Sequence, residues 1–359
     1  MEQPEVDVGT VTGTGVDSSG VAPVRAGPAA RRSYRWRVVF AVAGLAILAA
    51  AMYGAGIGEI SHHIAALGWF APLVFIPYGI NALVDAAALG VALPRGPGAP
   101  RLSLMQVNLL RLAGEAINDI TPTAYFGGEP VKAHLMRRYG VPASDAVAAV
   151  MVAKTALIAS QIVFVVMGLV IFLLSREDAQ HPVATAVVLT VLGLAVIFAL
   201  VEIQRRGLVA SCARFATRFF PRSTLVARLT AHADTIDARL ASFYGQNRRV
   251  FLVSTLLHFI GWLIGVAEVS LILALIGAPI SLADAFIIES ISGTIRALGF
   301  LIPGTIGVQE VGGALICEMV GVAAAPALTL MLLKRAREFA FALLGLLVLA
   351  PGRSDRPTQ

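Results

Sequence analysis

The sequence predicts an all-α, polytopic membrane protein of about six transmembrane helices and two inverted re-entrant helical hairpins. Its 359 residues are 57% apolar and only 14% charged, whereas soluble domains carry about 25% charged residues. Apolar runs long enough to cross a hydrocarbon core of about 30 Å recur along the chain. Two shorter apolar segments end in Pro, Gly and charged residues, and these recur in the same order in both halves of the chain.

Six apolar runs reach the length of about 20 residues that a membrane-spanning helix needs. They lie at residues 38–58, 67–93, 143–174, 182–203, 250–276 and 326–350. Two further runs, 104–120 and 284–301, are shorter or more polar, and each is followed by a Pro/Gly break. We therefore expect six complete crossings and two segments that enter the membrane and turn back.

The two ends of the chain differ from this apolar region. Residues 1–37 are rich in small and polar residues, end in a run of arginines and show no periodicity, so they predict a disordered basic tail. No secretory signal pattern directly precedes the first apolar run, which favours an uncleaved first helix. Residues 38–350 are expected to form one membrane domain, followed by a short tail at 351–359.

Basic residues predict the orientation of the domain. Four arginines directly precede the first span, and nine lie in the loop 204–249. The positive-inside rule places both regions, and with them both termini, on the cytoplasmic side of the cell inner membrane. The loop alternates arginine with apolar residues, as an amphipathic segment on anionic lipid headgroups does. Nucleic acid is not an expected partner, because these arginines explain the isoelectric point of about 9.7.

A shift of 181 residues reveals an internal repeat. It aligns Pro122 with Pro303, Glu129 with Glu310, Gly140 with Gly321, and Lys154 with Arg335. Apolar membrane helices rarely contain such residues, so their coincidence carries more weight than the low overall identity. We interpret residues 104–174 as repeat 1 and residues 284–350 as repeat 2.

The second repeat is expected to be inverted relative to the first. Three predicted crossings separate the two broken hairpins, and an odd number reverses the orientation of the second. Inverted repeats with discontinuous helices near the midplane are a common plan of alternating-access transporters. Non-helical backbone persists at that depth only where it is buried in protein or lines a wet cavity.

Membrane-depth charges are the candidate site residues. A cation at the bilayer centre costs at least about 2.5 kcal/mol, so Lys154 and Arg335 need a carboxylate partner or a polar cavity. We expect them to hold an anionic headgroup while Glu129 and Glu310 act as gates. The further candidates for binding or gating are Arg111, Glu115, Asn118, Lys132, Arg296, Lys334 and Glu338.

An alternative explanation of these charges is purely structural. Lys334 could pair with Glu338 at i, i+4, and each of Lys154 and Arg335 could pair with one of the hairpin glutamates. Such pairs could also form a gate that opens when a lipid phosphate replaces the carboxylate. The sequence leaves the two explanations open.

Proline and glycine are expected to shape the hairpin turns. The residues concerned are Pro122, Gly127, Gly128, Pro130, Pro303, Gly304 and Gly307. Pro130 suits the first turn of a helix, and the amide donors exposed there favour an anion such as phosphate. A structural hairpin capped by Glu129 is the alternative.

No metal, cofactor or disulfide is expected. The two cysteines lie in a basic loop and an apolar segment, and the six histidines are scattered. Asp85 and Glu268 are buried acids without an evident partner, and either could carry a coupling proton. His258 and Trp262, at i, i+4, are expected to mark packing or the membrane interface.

Four motifs carry a family resemblance: TPTAYFGGEPVKAHLM, GVPASDAVAAVMVAKTALIASQ, IPGTIGVQEVGG and LLKRAREF. Over residues 38–350 the chain resembles the flippase-like family built on the lysylphosphatidylglycerol synthase transmembrane region, and it looks like members associated with hopanoid biosynthesis. The resemblance implies movement of a lipid between leaflets, either an anionic-headgroup lipid or a hopanoid- or isoprenoid-type lipid. The sequence ends at Gln359 without the soluble aminoacyl-transferring domain of bifunctional members, so lysylphosphatidylglycerol synthesis is not expected.

Two other functions remain open beside a non-enzymatic lipid transporter. An integral-membrane lipid-modifying transferase would need a base, a nucleophile or a metal cluster on converging helices. A membrane scaffold for envelope-lipid biosynthesis enzymes would tolerate Lys154→Ala and Glu310→Ala, whereas a transporter would not.

Overall fold

The protein is helical throughout the part of the chain that the structure describes. The computed structural model describes residue 42 and residues 45–94, 99–121, 127–175, 182–219, 224–298 and 305–349, and within these ranges every regular element is a helix. The predicted all-α class is therefore confirmed for the described residues. The predicted N-terminal tail and the C-terminal tail lie outside them.

Thirteen α-helices and one 3₁₀ helix make up the described fold. In chain order they are α1 Leu45–Ala55, α2 Ile57–Ala66, the 3₁₀ helix Gly68–Val74, α3 Phe75–Val91, α4 Leu104–Ile120, α5 Glu129–Arg138, α6 Ala143–Leu174, α7 Pro182–Arg205, α8 Leu208–Phe219, α9 Thr224–Gln246, α10 Arg248–Leu275, α11 Leu282–Leu298, α12 Val308–Met319 and α13 Ala324–Leu349.

Four of the described helical segments are long and apolar enough to cross a membrane. They are Gly68–Val91, Ala143–Leu174, Val183–Arg205 and Arg248–Leu275. Helices α1 and α2 would make a fifth span only as a broken one, because the chain bends by 83° between them at Gly56, whose φ is 89°. Helix α13 has 26 residues but carries four charges in its middle. The predicted apolar helices are thus present, while length and composition support four or five spans.

Glycine turns of the same type close both hairpins. Gly140 follows α5 with φ 83°, and Gly321 follows α12 with φ 91°. In each turn the N–H of the next residue, a valine, donates to a carbonyl five residues back, at 3.3 and 2.9 Å respectively. This left-handed glycine cap is a common helix ending, because glycine adopts positive φ without a steric penalty. The next helices, α6 and α13, begin 181 residues apart, so the structure follows the predicted repeat.

The two repeats pack reciprocally. Helix α4 packs against α13, as its counterpart α11 packs against α6, the counterpart of α13. The same 181-residue shift places α3 within α10, and these two helices also pack against each other. Two apolar cores form. One contains residues of α3, α4, α5, α6 and α9, and the other contains residues of α10, α11, α12, α13 and α2.

Helices α3 and α10 run antiparallel. Three contacts mark their interface: Ser254 Oγ with Ala88 O at 2.9 Å, His258 Nδ1 with Asp85 Oδ1 at 2.8 Å, and Gly261 against Asn81. The residue number rises along α10 as it falls along α3. The 181-residue shift makes these two helices equivalent, and they run in opposite directions.

The basic loop 204–249 forms a helical hairpin. Helices α8 and α9 pack against each other, and α9 also packs against α6. Ala210, Ala213 and Ala233 are buried between them, while Arg214 and Arg218 are exposed. The segment therefore has one apolar face and one basic face, as its sequence predicts.

Candidate functional site

An ion-pair network joins α4, α5 and α6, in which Lys132 is buried and the other three members are partly buried. We call it the Lys154 network: Glu115, Glu129, Lys132 and Lys154. Lys154 lies eleven residues beyond the first residue of α6, and its Nζ is 3.2 Å from Glu129 Oε1. Lys132 Nζ lies 3.3 Å from Glu129 and donates to Glu115 Oε1 at 2.6 Å. Two lysines therefore share the carboxylate of Glu129, which sits at the first residue of α5.

The turn between α4 and α5 holds this network in place by close backbone contact. Gly128 N–H donates to Asn118 Oδ1 at 2.7 Å, and Asn118 Nδ2 lies 3.4 Å from Glu115 Oε2. A Cβ on Gly128 would lie 1.9 Å from Gly114 O, so only glycine permits this approach. Pro130 begins the helix as expected. The amide of Gly128 is not available to an anion, however, because Asn118 already accepts its hydrogen bond.

We predict that Gly128→Ala destabilises the protein. The new methyl group would collide with backbone, which cannot move aside as a flexible side chain can, and overpacking costs about 1–3 kcal/mol. Thermal unfolding of purified protein in detergent measures the loss. Gly90→Ala is the matched control, because a Cβ at Gly90 in α3 meets nothing within 4 Å. Equal melting temperatures for the two variants would contradict the prediction.

A second network surrounds Arg335, the repeat-2 counterpart of Lys154. We call it the Arg335 network: Thr305, Gln309, Glu310, Arg335 and Glu338. Arg335 Nε donates to Glu310, which is 1% exposed. Its Nη1 donates to Glu338 at 3.1 Å, and its Nη2 donates to Gln309 Oε1 at 3.1 Å and to Thr305 Oγ1 at 3.3 Å. The guanidinium is thus bound on all its edges, within residues that are themselves buried.

The two networks contain the same pair at equivalent positions. Lys154 with Glu129 and Arg335 with Glu310 both join the cation of a long helix to a glutamate at the start of the preceding short helix. Arg335 also lies eleven residues beyond the first residue of its helix. The sequence left open whether these cations pair with the hairpin glutamates, and the structure shows that they do. Gating by these pairs stays a prediction.

Lys334 does not follow the pairing expected within its own helix. It binds Glu289 of α11 and lies 3.9 Å from Glu268 of α10, whereas Glu338 binds Arg335 and Gln309. Lys334 is paired with carboxylates of neighbouring helices, because the guanidinium of Arg335 binds Glu338. Glu268, for which the sequence suggested no partner, binds Arg337 as well.

A third cluster connects α3, α4 and α10. The two oxygens of the Asp85 carboxylate bind different partners: Oδ2 lies 2.6 Å from Arg111 Nη2, and Oδ1 lies 2.8 Å from His258 Nδ1. All three residues are buried. The sequence suggested that His258 marks packing or the membrane interface, whereas in the structure it contacts an acid. No local pattern reveals this contact, because 173 residues separate His258 from Asp85.

Of the remaining candidate residues, Gly307 lies within the described part of the structure, whereas three others and the side chain of Arg296 do not. Gly307 has φ 83° and donates its N–H to Glu310 Oε2 at 2.7 Å, so Glu310 also caps α12. Pro122, Pro303, Gly304 and the side chain of Arg296 lie outside the described part of the structure.

A hydrogen-bond chain ties the surface hairpin to α6 beside Lys154. Tyr244 of α9 donates to Gln204 Oε1 at 2.7 Å, and Gln204 Nε2 donates to Thr155 Oγ1 at 2.6 Å. Burial raises the pKa of the Tyr244 phenol to about 12, so its hydroxyl stays protonated and remains a donor. No local sequence pattern indicates these hydrogen bonds, although Gln204 and Thr155 interrupt apolar surroundings.

A basic cleft opens at the end of α5. It has a volume of about 620 Å³ and is lined by His134, Arg137, Arg138 and the turn 140–143. A smaller cleft of about 250 Å³ shares His134 and Arg138 and extends to Pro130 and Leu349. The surface at the end of α5 therefore presents cations to any anion that enters the cleft.

These features define a helical membrane protein with several apolar helices and two ion pairs at equivalent positions, Lys154 with Glu129 and Arg335 with Glu310. Residues 36–345 match the model of the family described as the lysylphosphatidylglycerol synthase TM region. The chain belongs to this family, and the resemblance carried by its four motifs is confirmed. Membership is consistent with a role connected with membrane lipids.

One curated relative gives a partial match. The chain is 25% identical over 212 residues to a UPF0104 membrane protein of Methanothermobacter thermautotrophicus (strain Delta H). The alignment covers 55% of this chain and 61% of the relative, so it spans about three fifths of that protein's length. No solved structure matches the chain.

Proposed function

We propose that this protein moves an amphipathic lipid between membrane leaflets by alternating access, with the Lys154 and Arg335 networks as its two gates. The substrate would be a lipid with an anionic headgroup or a hopanoid- or isoprenoid-type lipid with such a group. The observation that carries the proposal is the repeated pair, Lys154 with Glu129 and Arg335 with Glu310. Family membership supports a lipid as the cargo.

The antiparallel contact of α3 with α10 supports opposite access to the two networks. When both helices cross the bilayer, equivalent parts of the two repeats face opposite leaflets. A lipid would reach one network from the cytoplasmic side and the other from the outer side, as in transporters built from inverted repeats. The arginines around α8 and α9 favour the cytoplasm for the opening of the first hairpin and for both chain termini.

Competition between phosphate and carboxylate would open a gate. Each buried pair is stable only while both charges are matched, because an uncompensated charge at low dielectric is costly. A headgroup phosphate that binds Lys154 and Lys132 replaces the charge of Glu129 and releases α5 from α6. The basic cleft at His134, Arg137 and Arg138 would collect the headgroup first, while the lipid tail stays in the bilayer.

The basic face of α8 and α9 would rest on anionic headgroups of the inner membrane. Electrostatic attraction of this kind is worth about 1 kcal/mol per basic residue near the surface. The chain from Tyr244 to Thr155 would transmit the position of this hairpin to the helix that carries Lys154. Envelope-lipid biosynthesis enzymes are the protein partners that this role would favour.

Proteoliposomes with a headgroup-labelled phosphatidylglycerol test the function. We expect wild-type protein to accelerate the exchange of label between leaflets, measured by quenching with an impermeant reductant. Lys154→Ala should slow the exchange at least about tenfold, because a loss of 1.4 kcal/mol in headgroup binding is already tenfold.

Arg239→Ala serves as the control for Lys154→Ala. Arg239 also pairs with a carboxylate, Asp145 of α6 at 3.3 Å, but its side chain is 59% exposed. This variant should keep wild-type exchange. Equal exchange by Lys154→Ala and wild type would contradict the assigned role of the lysine. A wild-type protein that exchanges neither this lipid nor an isoprenoid phosphate would favour the transferase or scaffold alternatives.

A further inference from the structure

We propose that His258 and Asp85 form a proton-binding site that couples proton movement to lipid movement. The coupling rests on the proposed transport function, whereas the proton site itself is tested independently of transport. The site lies on α3 and α10, the two antiparallel helices that precede the repeats, and outside both proposed gates.

The geometry fixes the position of the exchangeable proton. His258 is 6% exposed and lies ten residues into α10, about 15 Å along a helix with 1.5 Å rise per residue. The contact of Nδ1 with Asp85 Oδ1, at 2.8 Å, assigns the Nδ1 proton as the donor to the carboxylate. Nε2 then carries the lone pair, and it has no hydrogen-bond partner among the residues that the structure describes. A proton would therefore bind at Nε2.

Other buried polar atoms close to the pair also have no hydrogen-bond partner within the described ranges. They are Asn81 Oδ1, one turn before Asp85, and Asn108 Oδ1 and Arg111 Nη1, which lie one turn apart on α4. Buried polar atoms nearly always have a hydrogen-bond partner, and each one without a partner destabilises the fold. A protein core gains nothing from such a group of atoms, whereas a proton-transfer site needs donors and acceptors of this kind.

A glycine builds the pair into the helix interface. Gly261 lies one turn beyond His258, and a Cβ there would be 2.5 Å from Asn81 Oδ1 and 3.3 Å from Asp85 Oδ1. The missing side chain brings the backbone of α10 against the polar face of α3. The contact between histidine and aspartate is therefore part of close helix packing and does not depend on a mobile surface side chain.

Charge balance links this pair to the Lys154 network. Three carboxylates, Asp85, Glu115 and Glu129, are joined by ion pairs to three cations, Arg111, Lys132 and Lys154. The set is neutral while His258 is neutral, and one proton on His258 makes it positive by one charge. Since an unmatched buried charge is costly, the protonated state favours a bound anion. Proton and headgroup should therefore bind together and move in the same direction.

Arg111 and Glu115 provide the physical link, because they lie one turn apart on α4. Protonated His258 competes with Arg111 for the Asp85 carboxylate. Arg111 is then free to turn towards Glu115, which releases Lys132 to a headgroup phosphate. On the other side of the cycle the proton leaves from Nε2, the headgroup leaves with it, and the neutral set re-forms.

Charged and titratable groups face the pair from several elements. Arg111 and Glu115 do so from α4, and Tyr78 of α3 interacts with Arg111. Further along α10, Glu268 binds Arg337, and Glu289 of α11 binds Lys334.

A proton-uptake measurement tests the site without transport. Short-chain phosphatidylglycerol is added to detergent-solubilised full-length protein in weakly buffered solution near pH 7, and a pH dye reports uptake. We expect wild-type protein to take up one proton for each lipid bound at saturation. His258→Gln, which keeps a donor for Asp85, should bind lipid without uptake. His62→Gln, an exposed histidine on α2, should behave as wild type.

A transport measurement tests the coupling. In proteoliposomes, a gradient of one pH unit should shift the steady-state leaflet ratio of tagged phosphatidylglycerol about tenfold for coupling to one proton. With His258→Gln the ratio should stay near one while exchange continues. Wild-type exchange that ignores the gradient, with no uptake in detergent, would overturn the proton site and leave the transport function standing. Proton uptake on lipid binding without exchange would instead support the site and contradict the transport function.

Discussion

Arg335→Met is expected to destabilise the protein more than any other single substitution in the two networks. Removal of the guanidinium leaves Glu310 and Glu338, 1% and 4% exposed, without the cation that both contact. Breaking a buried ion pair by removing one partner costs about 3–5 kcal/mol, and two carboxylates are affected here. Thermal unfolding in detergent, with far-UV circular dichroism as the probe, should show a clear fall in melting temperature.

Lys154→Met provides the matched comparison at the equivalent position of repeat 1. Glu129 keeps Lys132 as a partner after this change, so the loss of stability should be smaller. A double variant, Arg335→Met with Glu310→Gln, should recover part of the stability, because Glu310 then carries no unmatched charge. If Arg335→Met melts no lower than Lys154→Met, the arginine fork does not stabilise the second hairpin as we infer.

Local signals in the sequence account for the elements that could be predicted. Long apolar runs specify helices whatever they pack against, and the glycine turns at Gly140 and Gly321 depend on a φ that other residues avoid. The repeat adds long-range information, because it places Lys154 and Arg335 in equivalent helices. The hairpin glutamates could therefore be named as candidate partners before any contact was known.

Partner choice between distant helices could not be predicted. Lys334 binds Glu289, 45 residues away, in preference to the expected i, i+4 arrangement. His258 contacts Asp85 because Gly261 brings α10 close to α3, and that approach depends on the packing of two whole helices. The bend at Gly56 could not be predicted either, because the apolar run 38–58 predicts a single span.

The two networks that we propose as gates differ in strength. Lys154 is a compact point charge that shares Glu129 with Lys132, whereas Arg335 presents a planar fork to two carboxylates, an amide and a hydroxyl. A guanidinium held on several edges loses more hydrogen bonds when it is displaced than an ammonium does. The first of these proposed gates should therefore open more readily than the second.

Glu310→Gln is expected to open the second gate and expose Cys317 to thiol reagents. Cys317 is 0% exposed and lies two turns beyond Glu310 on α12. Glutamine keeps an oxygen for the Gly307 N–H but removes the charge that binds Arg335. Labelling is measured in a Cys212→Ser background, because Cys212 is exposed. A shift of about 1.4 kcal/mol in the gate equilibrium raises the open population, and so the labelling rate, about tenfold.

Glu129→Gln, the equivalent substitution in repeat 1, separates the two gates. It should open the first hairpin and leave Cys317 protected, because the reporter belongs to the other repeat. An impermeant maleimide should label Glu310→Gln only from the outer side of oriented vesicles, since the first hairpin is expected to open towards the cytoplasm. Labelling from the cytoplasmic side, or equal labelling of both variants, would show that the two hairpins open to a common face, and alternating access through opposed gates would then be excluded.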